Sequence, residues 1–246
     1  MSPKHDKLPE DLHYLNLDYI AQHYDQVAQE AAKEHLGHVD YLAQLIAGEA
    51  AARYERSVHR RVKCARLPVI KTLDQFNWGW PTKINRTQVQ DIFRLRFIEQ
   101  KANVVFVGGV GLGKTHLAVA LAHTACMHDV PVLFAPAVQI INTLSAAQSA
   151  NALAKTLKQY LRPRLLIIDE LGYLPMDKRG ADLLFQVISA RYECGSIVLT
   201  TNTAYKQWPK IFNNDATLAS AVLDRLIHHC DTVAIEGKSY RMKDKQ

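Results

Sequence analysis

The sequence predicts an α/β protein in which a parallel sheet is flanked by helices, with a small all-helical domain before it. After about residue 85, short apolar runs alternate with segments of helical periodicity. Such alternation is typical of a parallel sheet with helices on both faces. Before residue 70 the apolar residues follow a helical pattern alone. We therefore expect a helical N-terminal domain over 1–70 and an α/β domain over 71–246.

The N-terminal elements follow from two chain breakers. A helix-rich stretch covers 8–66, and Gly37 interrupts its pattern. A long helix is expected from about 39 to 66, and Pro68 ends it because proline cannot continue a helix. An aromatic connector bounded by prolines follows at 67–82.

The α/β part contains five predicted strands, at 103–107, 131–135, 164–169, 196–201 and 231–236. Runs such as L-L-I-I within the third strand suit strands that are buried on both faces of a parallel sheet. Helices are predicted between and around them, at 86–99, from Lys114 to about Met127, at 137–147, 151–160 and 178–193, and near 217–227.

A glycine-rich loop follows the first strand. Residues 108–115 read G-G-V-G-L-G-K-T, which matches the spacing G-x-x-x-x-G-K-T of a phosphate-binding loop. Its glycines allow close backbone approach, and the following helix N-terminus favours anions. A glycine-rich turn without a ligand is the alternative, which the Lys-Thr pair disfavours. The expected nucleotide-binding residues are Gly108, Gly109, Val110, Gly111, Leu112, Gly113, Lys114, Thr115 and His116.

Two carboxylates end the third strand, in the run L-L-I-I-D-E at 165–170. We expect Asp169 and the Thr115 hydroxyl to hold Mg²⁺, which prefers oxygen ligands. Glu170 is the expected general base that polarises an attacking water. Small-molecule kinases generally need no such base, so the adjacent Glu indicates hydrolysis of ATP.

Two further residues are candidates for catalysis. Asn202 directly follows the strand at 196–201 and could fix the lytic water, although a strand-terminating Asn in a turn is the alternative. Arg225 lies near the end of a predicted helix and could act across a subunit boundary as an arginine finger. The alternative for Arg225 is a surface residue beside Asp224.

From the composition we expect a cytoplasmic protein. The four cysteines are widely spaced and are read as reduced thiols, the N-terminus lacks an apolar signal core, and no run approaches a membrane span. His228 and His229 form the one histidine pair, with Cys230 and Asp231 following them. We interpret that pair as structural or close to DNA rather than as a metal site.

The positive charge is concentrated in one segment. Residues 53–71 carry seven basic residues and one acid, which accounts for the whole net charge of +6. An amphipathic helix with one-signed charge suits nucleic-acid phosphates, although a solvated face or an acidic partner would also fit. The expected DNA-binding residues are Arg53, Arg56, Arg60, Arg61, Lys63 and Arg66.

Several motifs together resemble the IstB-like family, the ATPase helpers of insertion-sequence transposases. They include L-L-I-I-D-E-L-G-Y-L-P at 165–175, G-K-T-H-L-A at 113–118 and D-R-L-I-H-H at 224–229, with R-Y-E-C-G-S at 191–196 and E-G-K-S-Y-R at 236–241. The resemblance implies a P-loop NTPase of the AAA+ class, with the Asn202 strand between the strands that bear the phosphate loop and Asp169. It also implies a homo-oligomer that binds and bends duplex DNA and recruits an IstA-like transposase.

Three functions remain open. The first is a transposition regulator, and the second is a replicative helicase loader. The third is a small-molecule kinase, which would require an arginine-rich lid and would lack the basic segment. About ten residues follow the last predicted strand, so we expect no helical lid of the kind many AAA+ proteins carry. Arg241 is the candidate for the second nucleotide-sensing arginine that such a lid supplies.

Overall fold

A computed structural model describes residues 7–245. These residues form two compact units that divide between Arg60 and Arg61. The division falls inside a long helix. The domain boundary near residue 70 concerns parts that fold independently, and it stays a prediction.

The first unit is helical. Its helices are α1 (Leu8–Tyr14), α2 (Asp18–Lys33) and most of α3 (His38–Ala65). Leu12, Ile20 and Leu45 form its small buried core. Glu49 on α3 is buried, and its carboxylate accepts the Tyr19 and Ile20 amides of the first turn of α2, at 2.8 and 3.3 Å. This capping ties α2 to α3.

The second unit is built on a five-stranded sheet. All its neighbouring strands pair in parallel, in the order β2-β3-β4-β1-β5. The strands are β1 (Asn103–Gly108), β2 (Val132–Pro136), β3 (Leu165–Leu171), β4 (Ser196–Thr201) and β5 (Cys230–Ile235). Strand β4 lies between β1 and β3, as the resemblance implied, so the carboxyl ends of these three strands meet at one edge.

The helices of this unit lie on both faces of the sheet. They are α4 (Arg86–Ile92), α5 (Arg96–Glu99), α6 (Lys114–Met127), α7 (Ala137–Ser149), α8 (Leu153–Leu161), α9 (Lys178–Arg191), α10 (Trp208–Ile211) and α11 (Ala216–Ile227). Neighbouring residues of β1 belong to different buried clusters, Val104 and Phe106 to one and Val105 to the other. The sheet is therefore covered on both faces, which confirms the predicted fold class.

One predicted helix is wrong. The single helix expected over 86–99 is divided into α4 and α5 by Leu95, whose φ of 64° is left-handed. Leu95 is buried in the same core as Phe97 and Ile98. Packing of this side chain therefore prevails over local helix propensity. Periodicity in the sequence does not reveal such packing.

Arg191 at the end of α9 fixes the base of the sheet. Its side chain is 2% exposed, and its guanidinium donates to the carbonyl oxygens of Tyr160, Pro163, Arg164 and Ser196, among others. Burial lowers the pKa of Arg191 to about 10. The two terminal nitrogens of this cation donate to backbone carbonyls, and these bonds lock the turn after α9 onto the starts of β3 and β4.

Within the described residues, no helix combines the length and the apolarity that crossing a membrane requires.

Candidate nucleotide-binding site

The phosphate loop joins β1 to α6. Gly111 and Gly113 have φ angles of 74° and 86°, in the left-handed region that favours glycine. A Cβ on Gly113 would lie 2.6 Å from the Phe76 ring, so the connector packs directly against the loop. Gly108 instead allows β1 and β5 to pack closely, since a Cβ there would clash with the Ile235 carbonyl of β5.

A cleft of about 620 Å³ opens beside this loop. Its walls come from residues within 71–81, 110–116, 170–173, 200–202 and 240–241. The first amides of a helix have no intrahelical acceptor, so the N-terminus of α6 offers donors to an anion here. The volume and the donors suit a nucleoside triphosphate.

Lys114 is the cation of the loop. Its Nζ donates to the carbonyl oxygen of Gly109 at 2.7 Å. Burial lowers the pKa of Lys114 from its ordinary value; Asp169 and Glu170 act in the opposite direction, and the charge of Arg241 lowers it. A partly desolvated ammonium beside a second cation is well suited to bind phosphate oxygens.

The expected metal ligands lie together. The Thr115 hydroxyl donates to the two carboxylate oxygens of Asp169 at 3.0 and 3.2 Å. Asp169 is 5% exposed, and it also accepts a hydrogen bond from the Thr200 hydroxyl. Because this pocket offers hydroxyl and carboxylate oxygens beside the phosphate loop, its residues fit Mg²⁺.

The two acids at the end of β3 face different surroundings. Asp169 is buried behind Thr115, whereas Glu170 is exposed and lines the cleft. Glu170 has a left-handed φ of 60°, and its amide donates to the Thr200 hydroxyl at 2.9 Å. Thr200 therefore holds the backbone turn that sends one acid inward and the other toward the cleft.

Other predicted residues of the loop and strand tips also reach the cleft. Asn202 lines it, and the Asn202 side-chain oxygen accepts from the Thr203 hydroxyl at 3.0 Å. His116 lines it too, with Nε2 2.9 Å from the Thr72 carbonyl. Val110 and Leu112 belong to the lining, whereas Gly109 contributes the carbonyl that receives Lys114.

Several cleft residues were missed from the sequence. Trp80 and Tyr240 pack edge to face with ring centroids 5.2 Å apart, and the Trp80 indole donates to the Lys238 carbonyl at 2.8 Å. Lys71 of the connector also lines the cleft. Their aromatic and basic composition was visible, but only the fold brings the connector and residues 240–241 together.

The two candidate arginines lie in different places. Arg241 lines the cleft, in a short 3-10 helix over Tyr240–Lys245. Arg225 lies on the last turn of α11, donates to the Ala221 carbonyl at 3.0 Å and covers the Phe185 ring at 4.9 Å. Within the described chain, Arg225 is outside the set of residues that line the cleft.

The predicted DNA-binding residues divide into two groups. Arg53, Arg60, Lys63 and Arg66 are exposed, although Arg53 donates to the Asn16 carbonyl at 3.0 Å. Arg56 is exposed too but pairs with buried Glu49 at 2.9 Å, and half-buried Arg61 pairs with Asp129 at 2.6 Å and with the Cys126 carbonyl.

The sheet order, the phosphate loop and the acid pair define a P-loop ATP-binding protein of the AAA+ type. The chain belongs to the family described as "IstB-like ATP binding protein", which it matches over residues 10–246. An ATP-binding protein of insertion sequence IS21 in Pseudomonas aeruginosa is 40% identical over 94% of this chain and 87% of its own length. The corresponding protein of IS232 in Bacillus thuringiensis is 39% identical over 99% and 97%.

Solved structures agree on the fold. A replication initiator DnaA bound to AMPPCP and single-stranded DNA has a TM-score of 0.58, at 21% identity over 73% of this chain and 55% of that chain. The DnaC helicase loader has a TM-score of 0.54, at 20% identity over 67% of this chain and 96% of that chain. These likenesses establish the AAA+ architecture.

Thr200 supplies a first prediction. Replacing Thr200 with Val removes the hydroxyl that contacts Asp169 and the Glu170 amide. Hydrogen bonds to charged groups contribute about 1.5–3 kcal/mol, so the Mg²⁺ concentration for half-maximal nucleotide binding should rise about tenfold or more. Titration of Mg²⁺ at fixed nucleotide measures this, and Thr200→Ser should stay close to the natural chain. Equal Mg²⁺ dependence in the Val variant would contradict the assigned role.

Proposed function

We propose that the chain hydrolyses MgATP. The observation that carries this proposal is the cleft, which unites the phosphate loop, the Thr115–Asp169 pair and Glu170. In this mechanism Lys114 would bind the phosphates, and Thr115 and Asp169 would hold Mg²⁺, which would neutralise phosphate charge. Glu170 accepts the proton of the attacking water, and Asn202 orients that water. Arg241 contacts the phosphates from within the same chain.

The hydrolysis cycle is proposed to regulate transposition. Relatives that span nearly the whole chain are ATP-binding proteins of insertion sequences, which supports a transposase of the same element as the partner. The chain would assemble on duplex DNA as a homo-oligomer and recruit and stimulate that transposase. Arg225 would complete the ATP site of a neighbouring subunit, which agrees with its position outside its own cleft.

A helicase loader is the second candidate, because the chain reproduces the fold of nearly the whole DnaC loader. That likeness concerns architecture, whereas the relatives at about 40% identity carry insertion-sequence names. A transposase reading frame next to the gene would favour the first function, and a replication gene there would favour the second.

DNA binding by the exposed cations of α3 gives a prediction for the proposed function. Arg53, Arg60 and Lys63 are exposed on this helix. If each contacts one phosphate, replacing all three with Gln should flatten the slope of log affinity against log salt by up to about 2.7, since each contact contributes about 0.9. The loss should be similar on unrelated duplexes, because phosphate contacts carry little sequence information.

The matched control is a second triple variant with the same net charge as the first. Lys33, Lys206 and Lys210 are exposed on other elements, and their replacement with Gln removes the same three charges. This control should keep a slope close to that of the natural chain. Arg56 is left unchanged because its pairing with Glu49 would confound DNA binding with folding. Equal slopes for the two triple variants would place the DNA surface elsewhere, with Lys155, Lys158, Lys178 and Arg179 as the next residues to replace.

A further inference from the structure

The turns after α9 and α11 bring three metal-binding side chains together. Among the described residues, Glu193, His228 and His229 each place a ligand atom within 4.8 Å of the other two. Glu193 follows α9 and the histidines follow α11, and these two helices pack against each other. The histidine pair alone gave no metal pattern, because its third member lies far away in the sequence.

Hydrogen bonds to the core fix the backbone of this cluster. Glu193 has a left-handed φ of 55°, and the next amide, of Cys194, donates to the Arg191 carbonyl at 2.9 Å. The Arg191 side chain is itself held by the backbone carbonyls that accept its hydrogen bonds at the base of the sheet. The His229 carbonyl accepts the amide of Asn103 at 2.7 Å, at the start of β1. The ligand side chains therefore project from two rigid turns.

A neighbouring tyrosine orients one of the histidines. The Tyr192 hydroxyl lies 2.9 Å from Nδ1 of His228. When Nδ1 carries the proton and donates to this hydroxyl, Nε2 is the ring nitrogen that keeps a lone pair for an ion. Metal-binding histidines typically donate their other ring nitrogen in this way, which fixes the tautomer and the ring orientation.

We propose that Glu193, His228 and His229 bind one divalent transition-metal ion of the zinc class. Two imidazole nitrogens and a carboxylate oxygen suit zinc, whereas Mg²⁺ prefers oxygen ligands alone. Three protein ligands leave a coordination position for water or for a donor from another molecule. The site is separate from the Mg²⁺ ligands of the nucleotide cleft.

Geometry and charge both allow this ion. The ligand atoms lie within 4.8 Å of one another. Ligands of tetrahedral zinc lie roughly 3.4 Å apart, so the side chains need to close by at most about 1.4 Å, which exposed side chains do by rotation. The cluster follows the C-termini of α9 and α11, where helix dipoles favour a cation.

The test is metal titration of the untagged full chain after chelator treatment, in millimolar Mg²⁺. Co²⁺ binding is followed by its visible absorption, and Zn²⁺ is then added to displace it. We expect one equivalent to bind. Replacing His228 and His229 together with Ala should weaken binding by about 100-fold or more, and Glu193→Gln by at least about tenfold, as loss of a ligand exceeds the 10–100-fold effect of outer-shell changes.

Two further variants make the result specific. His35 and His38 are exposed outside the cluster, so replacing both with Ala removes the same number of histidines and should leave the affinity unchanged. Tyr192→Phe should weaken binding about tenfold while one equivalent still binds. Circular dichroism of the metal-free variants checks their folding. Equal affinity in the two double histidine variants, or binding of the natural chain only at millimolar metal, would overturn the proposal whatever the ATPase activity.

Discussion

Replacing Glu170 with Gln should lower ATP turnover by about 10²–10⁴, the usual contribution of a positioned general base. The amide keeps the size and exposure of the side chain but cannot accept the proton of the attacking water. Glu170 lines the cleft, and its backbone N–H donates a hydrogen bond to the Thr200 hydroxyl. This substitution leaves that hydrogen bond in place. Nucleotide affinity should therefore stay near that of the natural chain, and ATP-bound oligomers should accumulate on DNA. Single-turnover hydrolysis and nucleotide titration measure the two quantities separately.

The neighbouring acid provides the contrast. Asp169→Asn removes a buried charge that accepts from both Thr115 and Thr200, so it should weaken Mg²⁺-dependent nucleotide binding as well as turnover. Glu99→Gln changes an exposed acid outside the cleft and should alter neither. If Glu170→Gln kept natural turnover, the base would have to be sought elsewhere in the cleft.

The local parts of this site could be predicted from the sequence because each is coded by adjacent residues. A strand, a glycine-rich turn and a Lys-Thr pair specify the phosphate loop, and α6 begins at Lys114 and ends at Met127 as the pattern predicts. An apolar run that ends in Asp169 and Glu170 likewise identifies both the strand and its acids. These signals survive without knowledge of the fold.

Features that depend on tertiary packing could not be predicted. Leu95 divides a helix because its side chain is buried, and Trp80 reaches the cleft because its indole bonds to the Lys238 carbonyl, 158 residues away. Glu193 joins the two histidines through the packing of α9 against α11. Each depends on which surfaces meet, and a one-dimensional pattern does not contain that information.

The basic segment also shows that tertiary contacts cannot be predicted from local sequence, here for charge pairing. Charge counting predicts a uniform cationic surface, but the structure pairs Arg56 with Glu49 and Arg61 with Asp129. Periodicity identifies which residues share a helix face and says nothing about the acids that approach that face. The proposed DNA surface is consequently smaller than the sequence indicated.

Mixing two inactive variants should restore ATP turnover if Arg225 acts on a neighbouring subunit. Arg225→Ala keeps an intact phosphate loop and lacks the arginine, and its turnover should fall by about 10³–10⁵. Lys114→Ala loses the cation of the phosphate cradle and should not bind ATP, although it keeps Arg225. In a mixed oligomer, Arg225 of one variant then faces the intact ATP site of the other.

The size of the recovery is set by the assembly. Random association of equal amounts makes about one head-to-tail interface in four productive, so turnover should return to about a quarter of the natural value. The control mixes Arg225→Ala with the double variant Lys114→Ala/Arg225→Ala, which supplies no arginine and should restore nothing. Mass measurement of differently labelled chains verifies that hybrids form. Hybrids without recovered turnover would restrict Arg225 to its own chain, where its bond to the Ala221 carbonyl and its contact with Phe185 would make it a structural residue of α11.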